Sequence, residues 1–158
     1  MLTPLKQFVC DVCGKIIENP EAGYVVWDTD DQMLAYGIKV IHHAKCDDRS
    51  CGRSNDLPHF LGEDGLAYLL SFLSAGPIAM KEKFGAGKGR VKNLDEFTDF
   101  FRRCQTPYYE EIRQYFDDPV VIDRLSDHNE YSPYVISTMQ KLIDEAAERR
   151  RKRLEGES

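Results

Sequence analysis

Two short stretches limit what this chain can become. FVCDVCGK carries Cys10 and Cys13, and HHAKCDDRSC carries His42, His43, Cys46 and Cys51. A C-x2-C turn brings both sulfurs to one side, where a single ion can take both, and zinc prefers four thiolate or imidazole donors in a tetrahedron. Gly14, directly after the second thiol, suits the left-handed backbone that such a knuckle uses there. The second half of the site stays open. His43-x2-Cys46 copies the spacing of the first pair, and Cys46-x4-Cys51 gives an all-sulfur set. Two of His43, Cys46 and Cys51, or His42 in place of His43, complete the four. The candidate ligands are Cys10, Cys13, His43, Cys46 and Cys51, and the expected ion is Zn2+.

The competing reading treats buried cysteines as small hydrophobes and His42-His43 as the end of a strand. Compartment argues for ligands. The start MLTPLKQFVC lacks the charged-then-apolar plan of a signal peptide, and no apolar run approaches the ~18 residues of a membrane span. The expected location is the cytoplasm with no membrane contact, where thiols stay reduced. Cys104 falls on an apolar helical stripe and is assigned to the core.

Around the thiols the patterning is that of a hairpin. GYVVWD (Gly23 to Asp28) and MLAYGIKVI (Met33 to Ile41) are rich in β-branched and aromatic residues, and TDDQ between them has turn chemistry. The expected strand face in the second is Tyr36, Ile38 and Val40. From about Asp56 the period becomes helical. Leu66, Leu69, Leu70 and Leu73 fall at i, i+3, i+4 and i+7, and Gly76-Pro77 stops that helix. An Asn93/Glu96 capping box opens a helix with Leu94, Phe97, Phe101 and Cys104 on one stripe. Thr106-Pro107, Asp118-Pro119 and Ser132-Pro133 each read as a helix start, and Val135, Ile136, Met139, Leu142, Ile143 and Ala146 read as core. At 158 residues, 42% hydrophobic and 30% charged, the chain suits an ordinary soluble fold. The fold class expected is α+β, an N-terminal zinc-stapled β-hairpin module (residues 1–56) packed on a C-terminal helical bundle with a basic tail (57–158).

The order knuckle, hairpin, second ligand pair over residues 8–52 resembles the treble-clef zinc fingers, of which the C-x2-C…H-x2-C of LIM-type modules is one form. The resemblance implies a structural zinc. The segment VIHHAKCDDRSCGRSNDLPHF also resembles the core of His-Asn-His nucleases, which implies His43 as general base, Asn55 as loop holder and His59 as ligand of a catalytic cation. Against it, Asn55 and His59 are only four apart and Pro58 interrupts the segment, so Asn55 or Asp56 reads better as a helix cap and His59 as a surface residue. On CDVCG, IHH, FLGEDGLAYLLSFL and TPYYEE the whole chain resembles a group of uncharacterised bacterial proteins, a resemblance that implies no activity.

Charge is unevenly spread. Of the net −6, residues 149–158 carry +3, which leaves −9 on residues 1–148. A body that acidic repels phosphate backbones, so nucleic-acid contact must use local patches, with Lys88, Arg90, Arg149, Arg150 and Arg151 as candidates. GAGKGR lacks the spacing of a phosphate-wrapping P-loop. The expected function is a non-enzymatic zinc-binding adaptor or regulator that presents a surface to a protein partner or, through the basic tail and loop, to nucleic acid. A His-Asn-His-type nuclease is the alternative.

Overall fold

A computed structural model describes residues 1–47, 50–74, 76 and 89–156. The fold is mixed α and β, with small antiparallel sheets and five α-helices among the described residues. Contacts divide the chain into two compact units, Leu5–Gln105 and the pair of segments Met1–Pro4 with Thr106–Ser158. No helix among the described residues is long and apolar enough to cross a membrane.

In the first unit, β1 (Phe8–Val9) pairs antiparallel with β2 (Ile16–Ile17), Phe8 opposite Ile17, which leaves the C-x2-C knuckle as the connecting turn. The expected hairpin is β3 (Gly23–Thr29) against β4 (Ala35–His42), with Gly23 opposite His42 and an irregularity between Val26 and Asp28. Its turn is built as TDDQ suggests: Asp30 Oδ1 accepts from the backbone N–H of Gln32 and Leu34. The alternating face of β4 is not kept. Val40 and Ile41 are both buried and Tyr36 is exposed, in a strand where Gly37 has a positive φ of 64°. A third strand, β5 (Arg53–Asp56), pairs with the other edge of β3 to give the order β4-β3-β5. Its sequence RSND has no β-propensity, and nothing local announces it.

Two helices pack on this sheet. α1 (Gly62–Leu73) buries Gly65, Leu69 and Phe72, while Leu66, Leu70 and Leu73 are exposed. The sequence stripe thus divides into two faces, because the sheet takes the side carrying residues 65, 69 and 72. A Cβ on Gly65 would lie 2.2 Å from the backbone carbon of Phe60, so only glycine allows the first turn to sit that close. α2 (Leu94–Gln105) buries Phe97, Phe100, Arg103 and Cys104 and leaves Leu94 exposed. Phe60–Phe100 and Phe72–Phe97 ring contacts, with centroids 5.2 and 5.6 Å apart, join α1, α2 and the segment between β5 and α1. Asn93 caps α2 by accepting from the N–H of Asp95 and Glu96, but the Glu96 carboxylate leaves the capping box and accepts from the N–H of Ile38 on β4 at 2.6 Å.

The second unit holds α3 (Tyr109–Arg113), α4 (Pro119–Ser126) and α5 (Ile136–Gly156). Asp118 caps α4 as its sequence predicts, accepting from Val120 N–H at 2.9 Å. Thr106-Pro107 does not open α3. The helix begins after Tyr108, whose φ of 68° turns the chain. Met139, Leu142, Ile143 and Ala146 form the buried face of α5 with Tyr109, Ile112, Tyr115 and Val121, whereas Val135 and Ile136 are exposed at its start.

The most consequential core position is a cation. Arg103 is 2% exposed, donates from Nη1 to Asp11 Oδ2 at 2.7 Å and from Nη2 to the Val9 carbonyl at 2.9 Å. Breaking a buried ion pair by removing one partner costs about 3–5 kcal/mol. Asp11 keeps some water access and a second donor in Val40 N–H, so Arg103→Met should cost about 2–3 kcal/mol, at or just below the low end of that range. Urea unfolding of the metal-loaded protein measures it, and a loss below about 0.5 kcal/mol, the range of an ordinary surface substitution, would contradict this account.

Candidate metal centre

The knuckle is shaped by backbone bonds. Cys10 N–H donates to the Lys15 carbonyl at 2.9 Å, extending the β1–β2 ladder by one pair, and Gly14 N–H returns to the Cys10 carbonyl at 2.9 Å. Gly14 has φ +68°, the conformation expected of it. This turn directs the Cys10 and Cys13 thiols to one side. Asp11, between them, is fastened to β4 twice: its N–H donates to the Val40 carbonyl at 2.8 Å, and its carboxylate accepts from Val40 N–H at 2.7 Å. Two residues beyond Val40 stands His42.

Four donor atoms converge there. The Cys10, Cys13 and Cys46 thiols and a His42 ring nitrogen all lie within 4.8 Å of one another. His42 Nδ1 is 3.5 Å from Cys13 Sγ and 3.9 Å from Cys46 Sγ. A tetrahedral ion with Zn–S of ~2.3 Å and Zn–N of ~2.0–2.1 Å requires about 3.6 Å between sulfur and nitrogen and about 3.8 Å between sulfurs. The two sulfur–nitrogen separations are close to that value, and the four donors together could hold an ion. The imidazole is also oriented for it: His42 Nε2 lies 3.2 Å from the Ile16 carbonyl, to which an Nε2–H donates. That bond leaves the Nδ1 lone pair facing the thiols, as a ligating imidazole requires. Cys46 is delivered by a tight turn after β4, in which Cys46 N–H donates to the His42 carbonyl and Ala44 takes φ 61°.

Without a cation the sulfurs compete. Burial raises the Cys10 thiol, but hydrogen bonds from the backbone of Cys13, Val12 and His42 and from the His42 side chain outweigh it and bring its pKa down to about 6. Cys46 is pushed up to about 11 by desolvation and by the neighbouring Cys13 and Cys10 sulfurs. One thiolate forms readily and a second beside it does not, which is the electrostatic state that a bound dication relieves.

The other sequence candidates lie elsewhere. His43, the turn residue that follows β4, points away from the cluster; its ring meets Tyr24 edge-on at 4.8 Å, and its Nε2 is 3.9 Å from Asp56. Cys51 is half-buried against the sheet core and lines a groove with Tyr24, His43 and Ser54, outside the four-donor cluster. Cys104 is fully buried in the core, as its stripe predicts. Asn55 stands on β5 and accepts from His59 Nδ1 at 2.6 Å, with only the start of a short 3-10 helix, Leu57–Phe60, between them. Arg90 lines a pocket with Arg53 and the aromatic rings of Trp27, Tyr68 and Phe72. Lys88 lies outside the described residues. Arg149 and Arg150 flank a cleft of the second unit, and Arg151 faces Glu155 one turn on at 3.9 Å. Asp11, Arg103 and the Ile16 carbonyl, which position the ligands, were not singled out from the sequence. The one available signal was an arginine at a core position, one residue before Cys104 and three after Phe100.

Comparison with protein-family models, curated proteins and solved structures gives no match to the chain.

Cobalt titration discriminates the ligands, because thiolate coordination gives charge-transfer absorption. His42→Ala and Cys13→Ser should lose most of that signal, and His43→Ala, Cys51→Ser and Cys104→Ser should keep it. Loss in His43→Ala with retention in His42→Ala would reverse the assignment. Ion binding should also release protons. Between pH 6 and 11 the Cys46 proton is displaced, so affinity should rise with pH, and below about 6 the Cys10 proton joins it and the dependence steepens. Calorimetry at pH 7 in buffers of different ionisation enthalpy measures this, and buffer-independent heats would contradict it.

Proposed function

We propose that this chain is a zinc-binding adaptor whose first unit is held in shape by a structural zinc and offers a surface to a protein partner. The observation that carries the reading is the donor set: three sulfurs and one imidazole nitrogen within 4.8 Å of one another, with the Ile16 carbonyl behind the imidazole to hold its Nε2–H. A catalytic zinc keeps a coordination position for water, whereas four protein ligands leave none. Zinc is favoured over harder ions by the thiolate-rich set.

A surface for a partner is available on α1. Leu66, Leu70 and Leu73 are 39%, 48% and 38% exposed and follow one another at i, i+4 and i+7. Their neighbours Leu69 and Phe72 hold the helix to the sheet, so the leucine row is an addition to what folding requires. Exposed apolar rows of this kind mark interaction sites.

Purified reduced protein should carry about one zinc per chain, and chelation should melt the first unit, since apparent zinc binding in small modules reaches ~10–16 kcal/mol. Substoichiometric zinc in freshly prepared protein would overturn the structural-zinc reading. A photoreactive side chain at position 70 should give a discrete crosslinked adduct in cells, and absence of any adduct would count against the leucine row. Magnesium- or manganese-dependent nicking of plasmid, lost in both His43→Ala and His59→Ala, would replace the adaptor with the nuclease.

A further inference from the structure

The second unit contains a cleft that the metal centre does not explain. It measures about 170 Å3 and is lined by Tyr115, Asp117, Asp118, Arg149, Arg150 and Arg153 among others. Arg149 and Arg153 are one helical turn apart on α5 and Arg150 is adjacent, so three guanidinium groups border one opening. Arg149 donates to Asp118 at 3.4 Å. Arg150 lies over the Tyr115 ring, 5.0 Å from its centroid. Among the described residues neither Arg150 nor Arg153 pairs with a carboxylate. Arg149 Nε is buried and has no hydrogen-bond partner among them. A buried N–H left unpaired is costly, and native structures seldom leave one so.

We infer that this cleft binds a single phosphoryl group, with Arg149, Arg150 and Arg153 as its ligands. Guanidinium forks match the spacing of phosphate oxygens, and Arg150 is preset by its stacking on Tyr115. Asp118 already caps the α4 N-terminus, so the arginines supply the charge. Three cations against Asp117 and Asp118 leave a local net charge of +1. That suits one compact anion better than the repeated charges of a nucleic-acid backbone. Size points the same way, since the cavity is below the ~300–1,000 Å3 of pockets that enclose drug-sized ligands. Arg151, turned toward Glu155, takes no part.

The full-length zinc-loaded protein is titrated with inorganic phosphate and with O-phosphoserine, following the arginine Nε–H resonances by NMR at constant ionic strength set with chloride. Saturable shifts at Arg149 and Arg153 are expected, and a tighter response to phosphoserine identifies an esterified phosphate as the natural source. Arg153→Gln, which removes an exposed side chain with no ion pair among the described residues, should weaken binding by about 10- to 100-fold, and Arg151→Gln should leave it unchanged. No saturable shift with either probe overturns the inference. So does equal weakening by Arg151→Gln, which would mean diffuse attraction, or binding of a single-stranded oligonucleotide without any response to phosphate.

Discussion

The first unit depends on one buried guanidinium. Arg103 reaches from α2 into the knuckle, where it holds Asp11 and the Val9 carbonyl, and Asp11 in turn clasps both backbone groups of Val40. Three segments far apart in sequence are thereby fixed to one another: the turn with Cys10 and Cys13, the strand that ends at His42, and the helix that covers them. A buried ion pair contributes little net stability compared with apolar packing, because desolvation offsets the attraction. Its value here is positional. It fixes the two segments that carry the candidate ligands relative to one another.

The cluster itself is arranged so that an ion resolves an electrostatic conflict. Backbone donors favour a thiolate at Cys10, and the same closeness disfavours one at Cys46. The Ile16 carbonyl behind His42 is the outer partner that a ligating imidazole needs. Every part of the site is supplied by backbone or by groups that the fold already orders. An ion arriving there would find its donors in place.

Folding requirements and additional features can be told apart on the helices. On α1 the residues at 65, 69 and 72 meet the core, and the leucines at 66, 70 and 73 do not. On α5 the residues at 139, 142, 143 and 146 meet the core, and the arginines at 149, 150 and 153 gather around a cleft instead. A single amphipathic stripe suffices to pack a helix, so a second organised row on the same helix calls for its own explanation.

The sequence by itself determined the parts whose physics is local. The C-x2-C spacing with Gly14 dictates a knuckle, β-branched runs around TDDQ dictate a hairpin, Asp118-Pro119 starts a helix, and the spacing of Met139, Leu142, Ile143 and Ala146 marks a buried face. Tertiary structure decided the rest. His42 and His43 are the same residue type, but His42 ends β4 and His43 opens the turn after it. Only the register of β4 against β3, together with the clasp of Asp11 on Val40, selects which imidazole meets the thiols. Strand β5 is absent from any local pattern because RSND is polar, and it exists because β3 has a free edge beside it. Arg103 reads as a solvated charge until a carboxylate from residue 11 is seen to meet it across more than ninety positions. Glu96 reads as a capping residue until a strand N–H at residue 38 takes it away. Local preference is written in neighbouring residues, whereas a polar side chain's partner depends on which segments the folded chain brings within hydrogen-bond reach.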